Sequence, residues 1–177
     1  ETAWRSDMYE FPENSQALFD DETIPSFDKS NSNQRFDASL EEVLHLITHE
    51  GYSHVYSELK EDKGSLISDA MEVARGGYFI FPPNHYPNAA WYSYDDVTCS
   101  YDCMIAEYFY WALTSILGAQ SYPGRFDEIG HEWKLNTKEK VMNSDSLIYS
   151  LLTDSKFNLP KVLPDNKYAG FDIKLSN

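Results

Sequence analysis

Positive charge is scarce in this chain. Fourteen lysines and arginines stand against 29 aspartates and glutamates, for a net charge of -15. A polyanion of this kind is repelled by phosphate backbones, which argues against nucleic acid as a partner. Anionic membrane surfaces are disfavoured for the same reason. Basic peptides and cations stay compatible, although solubility alone is a sufficient reason for the acidity. Cysteine is nearly absent, with two residues, too few for a disulfide framework. No run approaches the roughly 18 apolar residues of a membrane span. A Gly-rich phosphate loop and a Gly-x-Ser-x-Gly elbow are both missing, so nucleotide binding and a serine-hydrolase elbow have no support. The start, Glu1-Thr-Ala-Trp-Arg5, does not read as a signal peptide.

What is present suits one domain. The chain has 177 residues, and its 42% hydrophobic content is enough for a core. Thirteen tyrosines and ten phenylalanines supply rings for that core or for the lining of a cleft. Residues 1–36 are polar and irregular, with Pro12, Pro25 and scattered aromatics, and read as an extended N-terminal arm. Residues 37–177 read as a single metal-binding domain. The two cysteines fall in Cys99-Ser-Tyr-Asp-Cys103, where a local disulfide and half of a zinc site are both open. With the acidity, a disulfide points toward a secreted or extracytoplasmic protein.

The fold class expected is mainly α with minor β. Ser39 followed by Glu42 is a capping-box pattern. Leu40, Val43, Leu44, Ile47, Val55 and Leu59 recur at helical spacing, which predicts a helix over 40–60, irregular at Gly51. A second helix is expected from Ser65 to Arg75, stopped by Gly76-Gly77. Tyr78–Phe81 reads as a short strand before Pro82-Pro83. Met104–Ala119 is apolar almost all round, which predicts a central buried helix. Residues 144–153 suggest a short helix, and the chain after Phe157 an extended tail. No internal repeats are present.

Chemistry concentrates in His45-Leu-Ile-Thr-His49-Glu50-Gly-Tyr-Ser-His54, which holds three of the five histidines. Clustered imidazoles with a carboxylate are what a divalent transition metal takes as ligands. Two registers compete. His45 and His49, four apart, share a helix face, with Glu42 one turn earlier as a third ligand or an acid/base. Leu46 and Thr48 occupy the positions just inside that pair, so it lacks an adjacent base. The alternative is His49-Glu50-x-x-x-His54, in which Glu50 is placed to act on a metal-bound water. Five residues turn a regular helix by about 500°, leaving these imidazoles about 140° apart. One inserted residue, a π-bulge near Gly51, brings them back together. Glu107, inside the apolar 104–119 helix, is expensive to bury unless it is paired or coordinated.

The His-Glu-x-x-x-His hexapeptide resembles the zinc motif of the dipeptidyl peptidase III family, which belongs with the wider gluzincin metallopeptidases. Ala106-Glu107-Tyr-Phe-Tyr-Trp-Ala-Leu113 is similar to the glutamate helix of gluzincins such as the anthrax lethal factor protease domain. The resemblance implies a zincin-like domain with a metal-binding helix and a downstream glutamate helix. It implies His49 and His54 as zinc ligands, Glu50 as base, Glu107 as third ligand, and Tyr101 or a neighbouring tyrosine as oxyanion stabiliser. The expected function is therefore a zinc-dependent hydrolase of the metallopeptidase type, acting on a peptide or protein substrate. Two alternatives stand beside it. One is a non-catalytic metal-binding protein using His45, His49 and Glu107. The other is a metal-free acidic interaction domain. Asp95, Asp96 and Asp102 match no EF-hand spacing and read as a solvated loop, and His85 and His131 read as structural.

Overall fold

Residues 16–19, 23 and 37–164 are described in the structure, a computed structural model. The arm expected over 1–36 lies almost wholly outside the described residues, as does the tail from 165 onward. The architecture is mainly helical. Helix α1 (Ser39–Ile47) runs directly into a π-helical turn, Thr48–Tyr52, and then into the short α2 (Ser53–Val55). Extended backbone at Tyr56 stops the helix at Val55 rather than Lys60, before a 3-10 turn, Ser57–Leu59. The capping box does not form. Ser39 is already helical, and its amide donates to Asp37 Oδ1 at 2.8 Å, so the upstream carboxylate takes the role expected of Ser39.

Helix α3 (Leu66–Arg75) opens on Ser65, whose hydroxyl accepts from the Ser68 amide at 3.1 Å. It closes at Gly76, where φ is 76° and a Cβ would meet Pro87 Cγ at 2.8 Å. Only glycine fits both the left-handed backbone and the close approach. Arg75 is fully buried at the end of this helix. Its guanidinium donates to the carbonyls of Gly77 and Phe79 and lies against the sulfur of Met104. Those carbonyls are thereby committed to a side chain. This explains why Tyr78–Phe81, expected as a strand, is irregular here.

Helix α4 (Tyr101–Leu117) is the axis of the molecule. Met104, Ile105 and every residue from Glu107 to Ser115 are buried. Helices α1 and α3 pack on it, as do α6 (Lys138–Ser144) and α7 (Ser146–Thr153). The short α5 (Arg125–Ile129) lies between α4 and α6 in sequence. Immediately before α4, the Cys99–Cys103 disulfide closes a loop onto its first turn, so the cysteines do not form a zinc half-site. The only strand-like pairing among the described residues is an isolated antiparallel bridge between Tyr92 and Trp133. No helix of the described residues is long and apolar enough to cross a membrane.

Asp145 ties three parts of this assembly together. One carboxylate oxygen accepts from Trp91 Nε1 at 2.7 Å and from the Tyr108 hydroxyl at 2.6 Å. The other caps α7 by accepting from the Ile148 amide at 3.2 Å. Asp145→Ala leaves all three donors without their acceptor, and Tyr108 is wholly buried. A loss of about 3–5 kcal/mol in unfolding free energy is expected, read by urea denaturation. Reduction of Cys99–Cys103 releases a loop of only a few residues, so the loss expected there is smaller, about 2 kcal/mol. The same denaturation run with and without a reductant measures it.

Candidate metal centre

Helix α1 does not bury the stripe that its sequence suggests. Leu44 and His45 face inward, whereas Val43 and Ile47 are about half exposed. The inward face meets α4 at Glu107, which is 8% exposed, as is His45. His45 Nε2 lies 3.3 Å from Glu107 Oε1 and 3.9 Å from Glu41 Oε1. Glu41, His45 and Glu107 each offer a donor atom within 4.8 Å of the other two. The 3.3 Å contact is an ion-pair distance without hydrogen-bond alignment. Both imidazole nitrogens and Glu107 Oε2 are buried and have no hydrogen-bond partner. Such orphans are rare in folded proteins and call for an explanation, an ion among them.

The electrostatics of the pocket follow from burial and from the two carboxylates. Burial pulls the His45 pKa down, but Glu107 and Glu41 outweigh it and push it up to about 10. Tyr94 donates its hydroxyl to Glu107 Oε1 at 3.3 Å. Burial, followed by the Glu107 charge, holds that phenol well above its ordinary range, so it remains a donor. The ring of Tyr110 packs 5.7 Å from the His45 ring.

The other expected residues fall elsewhere. Glu42, one position from Glu41, accepts from the Gln16 side chain instead of meeting His45. His49 is more than half exposed, and its Nδ1 lies 2.5 Å from Glu61 Oε2. Glu50 stands beside it, with Oε1 3.6 Å from His49 Nε2. The π-turn does fall where the second register requires a distortion, and the His49 and His54 rings approach to 6.4 Å edge to face. Neither imidazole converges with Glu107, however; that position belongs to His45. A Cβ added at Gly51 would meet nothing within 4 Å, so the turn does not demand glycine for space. Tyr101 is turned away from Glu107 and donates to Glu72 Oε1 at 2.6 Å.

Sequence reasoning missed Glu41, Glu61 and Tyr94. Glu41 had a signal, since it stands four residues before His45. Glu61 and Tyr94 reach their partners through turns that no helical spacing encodes. A second group, Asp95, His131 and Glu132, also converges, but Asp95 and His131 are exposed. No protein-family model, curated protein or solved structure matches the chain.

The donor set fits a divalent transition metal: one imidazole and two carboxylates, with unsatisfied atoms at the point of convergence. Metal-free protein carries a testable signature of the same cluster. Because the His45 pKa is raised from 6.5 to about 10, its ion pairs add stability fully below pH 6.5. That contribution is lost as pH rises toward 10. In chelator-treated protein, the stability advantage of wild type over Glu107→Gln is expected to be a few kcal/mol at about pH 6 and to shrink toward about pH 10. Urea denaturation at the two pH values checks it.

Proposed function

We propose that this chain is a divalent-metal-dependent hydrolase of the metallopeptidase type, centred on Glu41, His45 and Glu107. The observation that carries the reading is the convergence of these three side chains, His45 and Glu107 buried and Glu41 partly so, with both His45 ring nitrogens and Glu107 Oε2 lacking a hydrogen-bond partner. An imidazole with two carboxylates suits zinc or another divalent ion such as manganese, and three protein donors leave a position for water. A metal so held supplies Lewis acidity and a water of lowered pKa.

The chain's own residues supply the rest. Glu107 is fixed by the rigidity of α4 and by the Tyr94 hydroxyl. The acidic surroundings favour a basic or neutral peptide over an acidic one. The Cys99–Cys103 disulfide supports a secreted or extracytoplasmic setting, where such bonds persist.

Elemental mass spectrometry on tag-free protein tests the centre. About one equivalent of zinc is expected in wild type, with loss in both His45→Ala and Glu107→Ala. Glu42→Ala, whose carboxylate is engaged with Gln16, is expected to retain it. Wild-type protein that takes up no zinc, manganese or cobalt after dialysis would leave the cluster as a buried ion triad and end the hydrolase reading.

A further inference from the structure

The second convergent group, Asp95, His131 and Glu132, is assembled by the Tyr92–Trp133 bridge. Both side chains of that pair are wholly buried and anchored on α4. The Tyr92 hydroxyl donates to the Met104 carbonyl at 2.7 Å, and Trp133 Nε1 donates to Ser115 Oγ at 3.0 Å. Backbone bonds extend the pairing: the Ser93 amide donates to the Glu132 carbonyl at 2.7 Å, and the Lys134 amide to the Trp91 carbonyl at 3.0 Å. The turn after α5 is tied by the Ile129 carbonyl, which accepts from the amides of Glu132 and Trp133 at 3.0 and 2.8 Å. In antiparallel pairing, residues just after Tyr92 meet residues just before Trp133. Asp95 is thereby carried to His131 and Glu132.

The three donors have the chemistry and spacing of a metal site. Each offers an atom within 4.8 Å of the other two. His131 Nε2 and Glu132 Oε1 are 3.3 Å apart. Donors held about 2.0–2.2 Å from zinc at the tetrahedral angle stand about 3.4 Å from each other. That edge of the triangle therefore has the length that a shared ion requires. The Glu132 side chain is 19% exposed and that of His131 61%, so the group is fixed on its Glu132 side and open to water on the other.

Charge points the same way. The charged groups that act most on Glu132 are His131 and three acids, Asp95, Glu107 and Glu41, with no lysine or arginine among them. Lys134, close by in sequence, is turned to the Ala90 carbonyl. Tyr94, next to Asp95, donates its hydroxyl to Glu107 and also feels the Glu132 charge, so the outer group adjoins the buried cluster. One divalent cation in that cluster balances Glu41 and Glu107 and leaves Asp95 and Glu132 uncompensated.

We propose that Asp95, His131 and Glu132 hold a second divalent cation at a surface site beside the buried cluster. The imidazole selects a transition ion such as zinc or manganese over calcium or magnesium, which take oxygen donors. The ion joins the segment after Tyr92 to the turn after α5. Being exposed, the site exchanges its ion readily and is filled by added metal instead of retaining it through purification. It stands whether or not the buried centre is catalytic.

The test titrates chelator-treated full-length protein with zinc by isothermal titration calorimetry. Wild type is compared with Asp95→Asn, His131→Ala, Asp96→Asn and His45→Ala, each checked for folding by circular dichroism. Asp96→Asn removes the same charge one residue away, where the carboxylate is engaged with Thr98. Wild type is expected to show a tighter and a weaker binding event. Asp95→Asn and His131→Ala should each weaken the second event by at least about tenfold, and Asp96→Asn should leave it nearly unchanged. His45→Ala should lose the tighter event and keep the weaker. Manganese added to wild type should broaden the imidazole NMR signals of His131, which identifies the ligand without any variant. A weaker event that survives His131→Ala overturns the site. So does one that Asp96→Asn reduces as much as Asp95→Asn, since the acidic field alone would then explain it. A single event lost in His45→Ala and indifferent to His131→Ala overturns this site and keeps the buried centre. A single event with the opposite pattern keeps this site and removes the buried centre. No event in wild type removes both.

Discussion

The carboxylate of Glu107 sits in the middle of a helix that is otherwise buried apolar surface, and the placing of its neighbours follows from that. An ionised carboxylate taken out of water carries a penalty of several kcal/mol unless charge or hydrogen bonds replace its hydration. Tyr94 supplies one hydrogen bond to Oε1. Helix α1 supplies the charge by turning His45 inward. The consequence is visible on the opposite face, where Val43, Leu46 and Ile47 remain substantially exposed. Burying that apolar face would have been the ordinary outcome for an amphipathic helix. Orientation of α1 is thus set by electrostatics at one site more than by the area of apolar surface that it hides.

Such a site needs a frame that does not yield. Helix α4 provides it because four other helices pack against it and because both of its ends are fixed. The Cys99–Cys103 bond holds the entry, and Gly118 in left-handed conformation closes the exit. Asp145 adds a second buried carboxylate, and the contrast with Glu107 is instructive. Asp145 accepts from Trp91, Tyr108 and the Ile148 amide, and so is satisfied within the protein. Glu107 keeps one buried oxygen without a partner. Two acids of similar burial therefore differ in kind: one completes a hydrogen-bond network, and the other leaves coordination capacity unused.

Much of the frame was legible in the sequence, for local reasons. Helical spacing located α1, α3 and α4, and Gly76 gave the end of α3 because left-handed backbone is written in a single residue. The π-turn was legible too, since the interval from His49 to His54 calls for one extra residue per turn. The rest depended on contacts that spacing does not encode. Tyr78–Phe81 has strand composition, but Arg75 takes the carbonyls of Gly77 and Phe79 that a partner strand would have used. Ser39 has the right offset for a cap, yet Asp37 reaches its amide first. At the site, His45 and Glu107 could be nominated as chemistry, but not as partners. Glu41 and Glu42 differ by about 100° around the helix, and only the position of α4 decides which one points at His45. Glu61 meets His49 across twelve residues and two changes of backbone direction.

Charge balance separates the two accounts of the cluster. With His45 protonated, two carboxylates face one imidazolium, and the buried group keeps a net negative charge. Protonation also leaves the Nδ1–H without an acceptor, since both carboxylates lie on the Nε2 side of the ring. With a divalent cation between them and the imidazole neutral, the two carboxylates are balanced and the three donor atoms acquire a common partner. Ion pairing alone is a costly way to fill so deeply buried a space, since desolvation is borne by every member and offset only where geometry is good. The geometry here is good for convergence on a point and poor for hydrogen bonding between the members. That asymmetry favours a cation over a simple triad, and it makes the contact between α1 and α4 the part of the chain on which its proposed function rests.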